Sequence, residues 1–451
     1  MKRLCTRPEL RRNVLALSFT VTILIAGSAA AALPPGNVVQ QWNRVAEDTV
    51  IASGAFQNEG LLYMAYTSAA VYDALAAIDG TYRPLYHGIH VLDGASPEAA
   101  AIEAAYRTLR YYFPAQLANL DALYSEALAG LPATASTEAG RSVGDQAAAI
   151  IIAKRAHDGR LTPIGVTSQF DTLPEQPGVW RLTPPFAAPQ TPWVGNVRPF
   201  VLHSVARFRP APPPRLTSAR WIREFNEIKG LGAATSTERT ADETKVALFW
   251  TANVIRQYNR AGRDVSSAQS LSLMQTARVF AMINVVGADA QIALMHWKYS
   301  YLFWRPVTAI DPNAVTDDGF GPVPGFDDGN PNTIEQSGWR PLITTPNHPE
   351  YPSAHGSITS TIASVFAEIL GTEQINLDLH GFDPAGAPGN LNAVRHFDTT
   401  AALRADVVNA RLWGGLHYRG STEAGVTLGR AIAGYDLTHA FKRQRNNEGD
   451  E

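Results

Sequence analysis

Apolar positions recur at three- and four-residue spacing along most of the chain, which predicts a protein built from helices. Residues 60–78 (GLLYMAYTSAAVYDALAAI) are apolar and alanine-rich, with Asp73 the only charge. Residues 97–112 follow Ser96, a helix-capping side chain, and open on Pro97, which suits the first helical position because no N–H is needed there. Residues 117–130 and 138–156 continue the pattern. It resumes at Ala219, runs with breaks to Ser300, and returns over 356–370, 399–416 and 423–441. No window sustains the period-two alternation of a strand, and no repeat of 20–50 residues is visible. The expected fold class is all-α, a large helical bundle.

Two stretches break this pattern. Residues 158–218 are rich in Pro, Thr and Gly, with Pro184-Pro185 and Pro212-Pro213-Pro214. So long a stretch without periodicity reads as an irregular belt packed on helices, or as a boundary. Residues 311–351 hold Asp317-Asp318-Gly319 and Asp327-Asp328-Gly329. Their spacing does not fit a calcium-binding EF-hand loop, so they are expected to be turns.

Composition narrows the function classes. The chain has 451 residues, 45% hydrophobic and 18% charged, with net charge −3 and one cysteine. That is enough apolar material for a sizeable core. No basic block favours a nucleic-acid partner. One cysteine excludes a disulfide framework and a cysteine-based zinc site. At the N-terminus, Lys2, Arg3, Arg7, Arg11 and Arg12 precede the apolar run Val14–Gly27 and the small residues Ser28-Ala29-Ala30. Residues 1–32 therefore read as an export signal, with an uncleaved anchor as the alternative. Its removal takes five positive residues, Glu9 and Cys5, leaving a thiol-free chain of net charge −7. No second apolar run is expected to approach membrane length, so the expected product is periplasmic or extracellular. The division is 1–32 signal peptide, 33–230 N-terminal helical region with the Pro-rich belt, and 231–445 core; the last two are read as one large domain.

Three clusters carry chemistry. In Lys298–Pro306 (KYSYLFWRP), Lys298 and Arg305 lie seven apart. On one helix that is about 20° short of two turns, so both cations would share a face. The aromatics between them are hard to reconcile with a solvated surface. In His348–Gly356 (HPEYPSAHG), small polar residues lead into an apolar-periodic helix whose first N–H groups and dipole favour an anion. A plain serine cap with a solvated histidine is the alternative there. In Ala410–Arg419 (ARLWGGLHYR), Arg411 and His417 would point about 120° apart on a continuous helix. Gly414-Gly415 opens room for a ligand or for a neighbouring helix. Together these supply three cations, a hydroxyl, a helix N-terminus and two histidines, a set suited to a tetrahedral oxyanion.

The combination K-x6-R-P, P-S-x-H and R-x5-H, over residues 298–417 in this order, resembles the signature shared by vanadium-dependent haloperoxidases and type 2 phosphatidic-acid phosphatases. The MAYTSAAVYDALAAI segment, Glu224–Lys229 and Ala288-Asp289-Ala290 resemble the bacterial haloperoxidase type more weakly. The resemblance implies that Lys298, Arg305 and Arg411 bind the oxygens of vanadate or phosphate, aided by Ser353 and the backbone of Ala354. It makes His355 the acid–base group. His417 would be the axial ligand of vanadium in a peroxidase, or the phosphoryl-accepting nucleophile in a phosphatase. As a peroxidase, the chain would use hydrogen peroxide to turn halide into hypohalous acid, with Lys298 withdrawing charge from the reacting oxygen. As a secreted acid phosphatase it would hydrolyse phosphate esters through the same residues; a non-catalytic oxyanion-binding protein is a third possibility. Family members are often dimeric.

The chain departs from the family pattern at Ala354, usually glycine, at Ala410, usually serine, and at Ser421, often an aspartate that orients the histidine four residues earlier. Without that acid the phosphatase reading weakens, unless Glu423 or a remote acid substitutes. Asp289 is a candidate acid paired with an arginine. His348, seven before His355, is a position that tends to be histidine in bromide-oxidising members and phenylalanine in chloride-oxidising ones. His396, within Arg395-His-Phe-Asp398, is expected to be structural.

Overall fold

The computed structural model describes residues 32–162, 176–183, 188–311, 327–385 and 391–444. Residues 1–31 of the expected signal segment, Pro184-Pro185 and Asp317-Asp318-Gly319 lie outside the described residues. From Ala32 onward the chain forms one compact unit.

Thirteen helices follow one another among the described residues: α1 Val38–Ala52, α2 Gln57–Asp79, α3 Pro97–Tyr112, α4 Leu117–Ala129, α5 Ala135–Arg155, α6 Ala219–Leu231, α7 Ala241–Phe249, α8 Val254–Ala268, α9 Leu273–Tyr301, α10 Pro306–Ile310, α11 Ala354–Leu370, α12 Thr400–Trp413 and α13 Arg419–His439. Polar side chains start many of them. Asn37, Thr240 and Ser272 form reciprocal capping boxes with Gln40, Glu243 and Gln275, and Ser96, Thr134 and Ser353 cap singly. The expected all-α architecture is the observed one.

Helix α2 is apolar on all sides and is buried accordingly, against α3, α5 and α9. Helix α9 contains one π turn, Met282–Val286, whose Asn284 is buried and bonded to Asn259 and Ser68. By length and composition α2 and α9 are long and apolar enough to cross a membrane, contrary to the sequence expectation. However, 89% and 94% of their most apolar windows are buried inside the protein, so both serve as core helices. Helices α11 and α13 approach closely because Gly425 and Gly429 lack side chains. A Cβ at either would collide with the carbonyl of Ser353 or Ser357.

The irregular stretch after α5 packs as a belt where it is described. Asp289 of α9 accepts the N–H groups of Phe200, Val201 and Leu202 at 2.6, 2.7 and 3.0 Å. A second departure from expectation is a small antiparallel sheet, β1 Gln374–Gly381 with β2 Ala393–Thr399. Residues 374–381 (QINLDLHG) do alternate, with Ile375, Leu377 and Leu379 buried. This period-two run lies between two strong helical signals.

Candidate active site: a buried cation cluster

Four segments deliver the site, and three helix ends place its charges. Lys298 lies in the last turn of α9, and Arg411 in the last turn of α12, where a cation suits the helix dipole. Ser353 is the N-cap of α11, with its Oγ facing the Gly356 N–H. The first N–H groups of that helix, those of Ala354 and His355, have no helical acceptor.

Two spacing arguments from the sequence are corrected. Lys298 and Arg305 do not share a helix, because α9 stops at Leu302, which adopts a left-handed conformation at φ 49°; Arg305 is the N-cap before Pro306. Arg411 and His417 do not share one either. The chain leaves α12 through Gly414 and turns at Gly415, φ 72°, where a Cβ would strike the carbonyl of Gly232. The glycine pair thus makes a close backbone approach and a sharp turn, which aims His417 back toward Arg411 and Arg305.

Hydrogen bonds fix the geometry. Arg305 donates from Nε to the His348 carbonyl at 2.9 Å, and from one terminal nitrogen to the Leu416 carbonyl at 2.9 Å and to His417 Nε2 at 3.1 Å. Its other terminal nitrogen reaches His348 Nδ1 at 2.9 Å. A guanidinium only donates, so both ring nitrogens present lone pairs. The 3.2 Å approach of His348 Nδ1 to the Pro349 carbonyl is then a contact between acceptors. Lys298 Nζ donates to the carbonyls of Pro349 and Glu350 at 2.8 and 2.9 Å. His355 donates to the Trp250 carbonyl, which leaves its enclosed Nε2 without a hydrogen-bond partner among the described residues.

Sequence reasoning missed Glu350, which lies within the quoted HPEYP segment. Its Oε1 accepts from His417 Nδ1 at 2.9 Å and from the Tyr418 N–H at 3.1 Å. The signal available was a carboxylate among apolar and proline residues, three before the serine cap. Sequence could not show which histidine it meets. Glu350 is the remote acid behind His417; Glu423 is exposed.

The electrostatics are unbalanced. Lys298, Arg305 and Arg411 are all buried, and among the described residues Glu350 is the one acid facing Lys298 and Arg305. No acid faces Arg411, and its Nε has no hydrogen-bond partner among the described residues. Burial, reinforced by Arg305 and Arg411, holds the Lys298 amine well below the usual range. Burial lowers Arg305 to about 10 and, with help from Arg305, Arg411 to about 9. Burial and these cations push His348, His355 and His417 well below the normal histidine range, so all three are neutral near pH 7. Burial raises Glu350 to about 8 against the pull of Arg305 and Lys298. An uncompensated buried cation costs several kcal/mol. The orphaned guanidinium nitrogen, the surplus of positive charge, the helix N-terminus and the lone pair on His417 are what a vanadate-like oxyanion requires, so the residues present fit that group. An aromatic wall of Trp221, Phe303, Trp304, Tyr351 and Tyr418 borders the cluster.

The structure brings Lys298, Arg305, Ser353, Ala354, His355, Arg411 and His417 toward one place, and His348 joins them through Arg305. It does not bring Asp289, the proposed acid partner of an arginine, to the cluster; the arginine that Asp289 faces is Arg155 of α5. Nine residues before Lys298 on the same helix, Asp289 lies about half a turn away in rotation and is spent on the belt N–H groups. His396 is exposed on the small sheet, bridging Asp378 at 2.7 Å and Asp398 at 3.1 Å. Asp327 and Asp328 make ordinary turn contacts, with Asp328 also accepting from Trp221 and Thr333.

Residues 278–446, which include the whole cluster, match the family model for the VCPO second helical-bundle domain. Vanadium chloroperoxidase of Curvularia inaequalis is 24% identical over 290 residues, 52% of this chain; the match spans a little under half (46%) of that relative's length. Among solved structures, one described as the first bacterial vanadium-dependent iodoperoxidase superposes with a TM-score of 0.71 at 23% identity, covering 92% of this chain and 100% of that one. A holo-type bacterial vanadium-dependent chloroperoxidase superposes at 0.66 and 17% identity, covering 87% and 92%. The chain thus shares the fold of vanadium haloperoxidases along nearly its whole length, and the segment that carries the cations lies within the family-model match; in both respects it is similar to vanadium haloperoxidases.

Proposed function

We propose that the chain is a vanadate-dependent haloperoxidase that oxidises halide with hydrogen peroxide to hypohalous acid, bromide in preference to chloride. The observation that carries this reading is a buried guanidinium, Arg411, with no acidic partner among the described residues, set beside two further cations and a histidine lone pair. Lys298, Arg305 and Arg411 would hold the oxygens of vanadate, Ser353 and the Ala354 N–H would donate to them, and His417 Nε2 would coordinate the vanadium. When bound, vanadate supplies a Lewis-acid centre that activates peroxide toward halide. His355 would serve the proton step: with its other nitrogen bound to the Trp250 carbonyl, its unpartnered Nε2 can take up and give back a proton. His348 at Arg305 is the residue on which the preference for bromide rests.

A second reading is a secreted acid phosphatase acting on phosphate monoesters through a phosphohistidine at His417. Glu350 favours it, because an acid behind Nδ1 is what a nucleophilic imidazole needs. Purified protein supplied with vanadate, peroxide and bromide is expected to brominate a phenolic dye, and faster than it chlorinates the dye with chloride. His417→Ala should lower turnover by on the order of 10³-fold or more. Hydrolysis of an aryl phosphate, with vanadate acting only as inhibitor, would replace the peroxidase by the phosphatase. Export through residues 1–32 and a homodimer belong to the same proposal, and N-terminal sequencing of secreted protein and sizing in solution test them.

A further inference from the structure

We propose that Glu350 is the positioning residue of His417: it holds the imidazole with hydrogen on Nδ1 and the lone pair on Nε2, where an oxyanion-bound centre would meet it. The inference rests on the reading that His417 Nε2 faces the bound oxyanion. Two contacts fix the tautomer from opposite sides. Glu350 Oε1 accepts the Tyr418 N–H at 3.1 Å and lies 2.9 Å from His417 Nδ1, toward which a carboxylate oxygen can only accept. On the far side Arg305 can only donate to Nε2 at 3.1 Å. With Nε2 accepting from Arg305, the neutral ring carries its hydrogen on Nδ1, so both contacts fit the same tautomer.

The same residue binds the pieces of the cluster together through its backbone. Its N–H donates to the Phe303 carbonyl at 2.9 Å, and its carbonyl accepts Lys298 Nζ at 2.9 Å and Ser421 Oγ at 3.4 Å. Glu350 therefore ties the end of α9 to the start of α13. Ser421 stands four residues after His417, in the first turn of α13, and is buried with its hydroxyl on Glu350. The acid serving His417 thus comes from the segment before α11 and not from α13, and Ser421 leaves room for it. Asp289 uses both oxygens on three N–H groups, whereas Glu350 Oε2 has no hydrogen-bond partner among the described residues.

The test compares wild type, Glu350→Leu, Glu350→Gln and the double variant Glu350→Leu/Ser421→Asp. One readout is the ¹⁵N spectrum of histidine-labelled protein, with the His417 signals assigned by their loss in His417→Ala. The other is the ratio of affinities for inorganic vanadate and inorganic phosphate. Removing negative charge affects both anions alike, so the ratio isolates the bond to Nε2. Glu350→Leu is expected to lose the single Nδ1–H tautomer and to lower the ratio about 10- to 100-fold. Glu350→Gln keeps an acceptor oxygen, so it should keep the tautomer and lower the ratio at least about threefold, as its imidazole is less basic. Ser421→Asp should restore the tautomer in the double variant and recover about tenfold. A folded Glu350→Leu with an unchanged tautomer and a ratio within about twofold of wild type overturns the proposal. Should Glu350→Leu fail to fold, an unchanged ratio in Glu350→Gln overturns it. If wild type binds no vanadate, the peroxidase reading falls, and the ¹⁵N spectra alone decide the role of Glu350.

Discussion

Arg155 and Arg411 are equally hidden from water, 2% and 3% exposed, and each lies at or near the end of a helix. Their surroundings differ. Arg155 donates from Nε to Asp158 at 2.9 Å and from its terminal nitrogens to the carbonyls of Pro199 at 3.2 Å and Arg198 at 2.5 Å. Its guanidinium also lies 4.0 Å from the centre of the Phe200 ring. Although burial lowers its pKa, Tyr66, Asp158, Tyr86 and Asp289 together outweigh that, and the net shift is upward. Among the described residues Arg411 has no partner for its Nε, no acid beside it and Arg305 as a neighbour, and burial takes its pKa down to about 9. The first arginine is a finished structural joint that fastens the belt to α5. The second is a cost the fold carries until an anion arrives. Burial alone does not mark a functional residue; burial without compensation does.

Exchanging the two arginines' fates is the most direct way to break this contrast. Arg411→Ala should reduce affinity for vanadate or phosphate by on the order of 10²- to 10³-fold, the typical loss for one donor to an oxyanion, while urea unfolding changes little. Arg155→Ala should leave Asp158 buried without its partner and cost about 3–5 kcal/mol in the same unfolding measurement, with anion affinity nearly intact in the folded protein. If Arg411→Ala proves the more destabilising of the two, the contrast is wrong.

Ligand addition sharpens it further. Vanadate or phosphate at a hundred times its dissociation constant should stabilise wild type by about 2.7 kcal/mol, visible as a rise in melting temperature. Arg411→Ala at the same concentration should show no such rise, and Arg155→Ala should show the full one. The smallest effect is expected at the helix N-terminus. Ser353→Ala removes the cap of α11 and should cost about 1 kcal/mol of stability together with a modest loss of anion affinity. A loss of stability with no change in affinity would leave Ser353 as a cap alone.

Much of the fold was legible because helices announce themselves locally. The capping residues Ser96 and Ser353 and the apolar run of residues 60–78 placed their helices within a few positions of those observed. The strand at residues 374–381 was overlooked although its alternation is present. The site was legible as a set of residue types and spacings, yet the helical geometry inferred from those spacings did not hold. Leu302 and Gly415 break the chain with positive φ, and such breaks depend on contacts that only folding creates. Asp289 illustrates the converse. Its sequence neighbourhood suited a site acid, but the belt had the closer donors.

The amino-acid sequence determined a helical chain and the chemical inventory of an oxyanion site, because periodicity, caps and motif spacings are properties of neighbouring residues. Tertiary structure decided which acid stands behind His417, which buried arginine is neutralised and which is left for a ligand to neutralise. Those outcomes depend on distances between segments such as Glu350 and His417, 67 positions apart, and a Coulomb or hydrogen-bond interaction is governed by separation in space, not along the chain.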